Sequence, residues 1–108
     1  MADPKQTSPA PEFEIVRYPF PLGNAPYPRP CVIIEKSTKD MLAVSTKHYT
    51  KFNFFVLPED HPDFPATKLD QTSYVIGDTI ARADPNVPLR TIGRIKGELA
   101  KEFAKWIG

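Results

Sequence analysis

Thirteen of the 108 residues are proline, and their placement limits the regular structure this chain can build. Proline fixes φ and has no backbone N–H. In a sheet it is confined to edges, strand starts and bulges. Pro19, Pro21, Pro26, Pro28 and Pro30, with Gly23 among them, make 19–30 a loop or an edge. Glu59–Pro65 combines two prolines with three acids and reads as a loop, and Pro85 and Pro88 mark another. The segments left between these breaks are short. Phe13–Tyr18 begins with alternation and is β-branched in its middle. Cys31–Glu35 is a continuous apolar run, as expected of a central strand. Met41–Thr46 is a third strand with a possible extension to Tyr49, Asn53–Leu57 a fourth, and Thr72–Gly77 a fifth that Thr79–Arg82 could continue past a kink. Strands this short and this regularly spaced predict a small barrel or sandwich.

The end of the chain follows another period. Leu99, Phe103, Trp106 and Ile107 stand at i, i+4, i+7 and i+8, which puts them on one stripe of a helix. Gly108 is placed to cap it. The expected architecture is mainly β: a small barrel of about five strands with one amphipathic C-terminal helix, spanning 13–108 as a single domain. Residues 1–12 hold three prolines among small and polar residues and are read as a disordered tail, since they lack the apolar side chains that would offset ordering.

Composition excludes several classes. No apolar run approaches the ~20 residues of a membrane span, and the first residues lack the apolar core of a secretory signal. Cys31 is the single cysteine, so neither an internal disulfide nor a cysteine-based zinc site is available. A cytoplasmic location is the expectation, with no metal or cofactor. Net charge is +1, which argues against a globally basic nucleic-acid binder but not against a basic groove. Charge is in fact segregated. Residues 36–52 carry four lysines against one aspartate, 59–84 carry six acids against two bases, and 85–108 carry five bases against two acids.

The order of pieces carries a resemblance. Arg29-Pro30 leads into CVII, and a later strand ends in Ala43-Val44-Ser45-Thr46. LDQTSYVIGDTIARAD (69–84) follows, then IGRI (92–95) and the helix. This resembles the MazF/PemK family of toxins from toxin–antitoxin pairs, with Leu69, Asp70, Ser73, Val75, Asp78, Ile80 and Asp84 in step with the family pattern. The resemblance implies an SH3-like barrel that forms a homodimer. It also implies metal-independent cleavage of single-stranded RNA, and a cognate antitoxin protein that covers the RNA groove.

Metal-free cleavage needs a base near the 2′-hydroxyl, a cation at the phosphate and an acid at the leaving oxygen. By resemblance, Arg29 is the phosphate-holding residue, Thr46 the assisting hydroxyl and Asp78 an acid/base residue. His48 is added by strand parity with Thr46 and by the suitability of imidazole for proton transfer. Ser45 and Lys47 flank Thr46 and are candidate substrate-binding residues. So are Tyr27 and Tyr49, and Tyr18 joins them as a candidate surface aromatic, because rings stack on bases. The rival reading is a catalytically inactive barrel that binds protein or nucleic acid.

Overall fold

The computed structural model describes residues 11–20 and 28–108. Most of the tail and Tyr27 lie outside them. Seven strands form one antiparallel sheet: β1 (Phe13–Tyr18), β2 (Arg29–Glu35), β3 (Asp40–Ser45), β4 (Phe54–Leu57), β5 (Ser73–Ile76), β6 (Ala81–Arg82) and β7 (Arg90–Ile95), followed by helix α1 (Gly97–Ile107). The spatial order is β4-β5-β3-β2-β1-β7, with β6 on β3. Among the described residues, no helix is long and apolar enough to cross a membrane.

The central strands read as unbroken apolar runs because both faces of the sheet are covered. On one face Ile15, Val32, Leu42, Val44, Val75 and Ile95 meet Leu99, Ala100 and Phe103 of α1. On the other, Val16, Cys31, Ile33, Met41 and Ala43 lie under Ala81, Ala83, Val87 and Leu89. Neighbouring residues of β1, β2 and β3 thus enter different cores, as the two-residue side-chain period requires. The Asp84 N–H donates to the Tyr18 hydroxyl at 2.8 Å and ties the 81–89 segment down. Tyr18 is therefore a buried core residue, not the surface aromatic expected from sequence.

The helical stripe is as expected from Leu99 to Trp106. The Phe103 ring meets Phe13 at 4.8 Å, Phe55 at 5.2 Å and Trp106 at 5.6 Å. Fully burying one such side chain contributes about 1.5–3 kcal/mol. The helix N-terminus has no cap from its own Lys96. The Asp63 carboxylate supplies one by accepting the Leu99 N–H at 3.3 Å. The Gly108 N–H closes the other end on the Ala104 carbonyl.

Three expectations change. Strand β2 starts at Arg29, and Pro30 fits because it pairs with Arg17 of β1 while the β2–β3 ladder starts one residue later, at Cys31 and Ala43. Among the described residues seven strands replace five, since β6 and β7 are separate strands. The sheet is also not closed into a barrel. Strands β4 and β7 end the order unpaired with each other. A 3₁₀ turn, Phe64–Thr67, packs its backbone on the face of β7 at Gly93.

The Cys31 thiol is fully buried. Burial pushes its pKa up to about 12, partly opposed by the Arg29 charge. The folded state therefore keeps a proton that the unfolded chain gives up at lower pH. Stability supplied by this group is complete below the free-thiol pKa and is lost as pH rises towards about 12. We expect no reaction with a chromogenic disulfide at pH 8 in the native protein, and one equivalent after denaturation. Full native reactivity would show that the site opens.

Candidate functional site

Local turns bring separate pieces of chain to one cleft. Strand β3 stops at Ser45, whose hydroxyl accepts the Lys47 N–H at 3.0 Å and turns the chain out of the ladder. Thr46 is left exposed at the turn. Arg29, half-buried, opens β2 beside it. The opposite wall comes from the residues after the 3₁₀ turn. There the buried Thr67 hydroxyl donates to the Phe64 carbonyl at 2.6 Å and accepts the Leu69 N–H at 3.2 Å. Lys68 takes a left-handed conformation, φ 61°, its N–H bonded to the Pro65 carbonyl. This rigid corner presents Lys68, Leu69, Asp70 and Gln71.

The resulting cleft has a volume of about 280 Å³ and is lined by Arg17, Arg29, Pro30, Ser45, Thr46, Lys68, Asp70, Gln71 and Ser73, with Val44, Leu69 and Ile92 supplying apolar wall. Among the described residues that line the cleft, Arg17, Arg29 and Lys68 carry positive charge and Asp70 carries negative charge. An anion is favoured there, and a guanidinium can hold two phosphate oxygens in fixed geometry. A hard cation prefers several oxygen ligands, and this wall offers one carboxylate among three positive groups.

No family model, curated protein or solved structure matches this chain.

Of the residues expected from sequence, Arg29, Ser45 and Thr46 line this cleft. Asp78, His48, Lys47 and Tyr49 do not. Asp78 lies beyond the far end of β5, where its carboxylate accepts the Asn53 N–H at 2.7 Å and fixes the entry to β4. His48 is not on a strand, because β3 ends three residues before it. The parity with Thr46 is therefore absent. Its ring instead stacks on Tyr74, centroids 4.6 Å apart and planes 5° from parallel. The Lys47 ammonium sits 5.1 Å from the centroid of the Tyr49 ring. Arg82 is engaged with Asp40 at 2.9 Å. That bond holds the Asp40 carboxyl below its usual range and raises the guanidinium.

Arg17, Lys68, Asp70 and Gln71 are cleft residues that sequence reasoning did not single out. Asp70 had a signal, since it belongs to the LDQTS block. Arg17 had none, because its position depends on the pairing of β1 with β2 and β7.

Proposed function

We propose that this cleft holds one phosphate of single-stranded RNA and cleaves the chain by attack of the adjacent 2′-oxygen. The observation that carries this reading is the convergence of Arg29, Ser45 and Thr46 with two further cations and one carboxylate. The 2′-oxygen forms a bond to phosphorus and the bond to the 5′-oxygen breaks, leaving a 2′,3′-cyclic phosphate and a 5′-hydroxyl. Asp70, in place of Asp78, accepts the 2′-hydroxyl proton. The Lys68 ammonium gives a proton to the departing oxygen. Arg29 binds the non-bridging oxygens as their charge grows, and the Thr46 hydroxyl donates to one of them. With the MazF/PemK-like pattern, this supports a toxin whose cognate antitoxin would lay an acidic segment in the cleft, with a second copy as the dimer partner.

The test is incubation of mixed-sequence RNA with the purified protein in EDTA. Fragments ending in 2′,3′-cyclic phosphate are expected. Dependence on added metal would overturn the mechanism. Binding-only is the second reading, favoured because neither Asp78 nor His48 reaches the cleft; RNA retained but left intact would establish it.

Arg17 allows a separate check. It pairs directly with Arg90 across β1 and β7, and neither makes an ion pair among the described residues. Like charges opposite each other destabilise a sheet by a few tenths to about 1 kcal/mol. Arg17→Glu should therefore leave thermal stability equal or slightly higher, yet weaken RNA binding at least tenfold. A variant that keeps full affinity would remove Arg17 from the binding surface.

A further inference from the structure

The turn after Thr46 carries a group of rings and lysines that the cleft does not use. His48 is exposed and stacks on Tyr74. Phe54 stands edge-on to both, 4.5 Å from His48 and 5.7 Å from Tyr74. These distances and the 4.6 Å stack make a triangle with an acute angle at His48. Phe54 therefore does not lie on the face of His48 opposite Tyr74, and among the described residues His48 is exposed. Further along the turn, Tyr49 and Phe52 are 5.5 Å apart, and the ammonium of Lys51 lies 5.2 Å from the Phe52 centroid. The stack is anchored from two sides. Tyr74 is braced in β5, opposite Ser45 and Val56, and Ser73, its chain neighbour, lines the cleft. His48 is two residues from Thr46, so their Cα atoms are at most ~7 Å apart.

We infer that the outer face of His48, backed by Tyr74, is a base-stacking position for the nucleotide next to the one whose phosphate lies at Arg29 and Thr46, with Lys47 and Lys51 holding the backbone that follows. This rests on the RNA reading of the cleft and adds to it a subsite for a base. The physical reason is that a flat ring already stacked on a second ring presents its free face without rearrangement. Aromatic platforms of this kind take any base, while neighbouring cations track the phosphates. Imidazole here acts as a surface for stacking and carries no proton in the reaction.

The experiment uses the full chain and a fluorescein-labelled 2′-O-methyl RNA heptamer, which cannot be cleaved because the nucleophile is blocked. Fluorescence anisotropy reads affinity for wild type, His48→Ala, His48→Phe and Arg29→Ala. His48→Ala is expected to weaken binding about tenfold, the loss of one stacked base. His48→Phe should restore most of it. A heptamer with an abasic site at the stacking position should bind wild type as weakly as His48→Ala binds the intact probe. If His48→Ala binds like wild type while Arg29→Ala is weakened, the stacking site falls and the cleft reading stands. If His48→Ala weakens binding but wild type never cuts RNA, the subsite stands without the nuclease. If wild type does not bind the heptamer, both fall.

Discussion

Gly93→Ala is expected to lower the unfolding free energy by about 3 kcal/mol and to weaken RNA binding in the same variant. A Cβ at this position would point into the backbone of the 3₁₀ turn, 2.7 Å from the Ala66 carbonyl oxygen and nearer still to that of Thr67. Neither is the mobile end of a side chain. The turn cannot retreat easily, because the Phe64 ring is part of the main core and the Thr67 hydroxyl bonds both Phe64 and Leu69. The methyl group must therefore push β7 away from the turn or push the turn outwards. The second movement carries Lys68 and Asp70 out of register with Arg29. Urea unfolding measures the first effect and anisotropy with the uncleavable heptamer the second. A stability loss below 0.5 kcal/mol would mean that the contact between turn and strand yields freely.

This contact also shows where sequence reading stopped. Phe13–Tyr18 was legible to the residue, because its pattern and its flanking proline agree. The run CVII was legible as a central strand, since burial on both faces removes any polar alternation, and Met41–Thr46 was legible as a strand. The helix was legible from its stripe. Strand β7 was not: Arg90, Thr91, Gly93 and Arg94 give RTIGRI too little apolar character. Its strand state comes from pairing with β1, a tertiary effect. The open sheet is not legible for the same reason, since whether β4 and β7 meet depends on pairings made in space.

The site divides along the same line. Arg29, Ser45 and Thr46 were found because each stands at a strand end whose position the sequence marks. Asp78 keeps step with the family pattern in the block 69–84, but β5 runs away from the cleft before reaching it, so Ser73 and not Asp78 reaches the lining. Asp70 precedes the strand and is carried in by the preceding turn. His48 was placed by parity, and parity ended when the Ser45 hydroxyl captured the Lys47 N–H. A single side-chain hydrogen bond thus changed a candidate proton carrier into a surface ring.

Arg29→Ala is expected to reduce RNA cleavage by about 10²–10³-fold, the scale for losing one donor aimed at developing charge. The residue lies half-buried at the start of β2, with its backbone held by the β1 pairing of Tyr18 and Arg29. The Cys31 thiol also points back at its carbonyl, 3.4 Å away. Truncating the side chain leaves these backbone contacts in place, so the variant should still fold, and its melting curve separates any loss of stability from the loss of rate. Arg17 and Lys68 remain in the cleft and should preserve part of the affinity. The loss should accordingly fall more on the rate at saturating RNA than on KM, the mark of an interaction made mainly in the transition state. Arg29→Lys should recover little, because an ammonium is a point charge and cannot grip two phosphate oxygens in one plane. Single-turnover cleavage in EDTA, with melting curves on the same preparations, measures all of this. Equal rates for Arg29→Ala and wild type would move the chemistry out of this cleft, whatever binds there. A rate restored by Arg29→Lys would mean that the phosphate needs only charge, and that the forked geometry of the guanidinium contributes nothing.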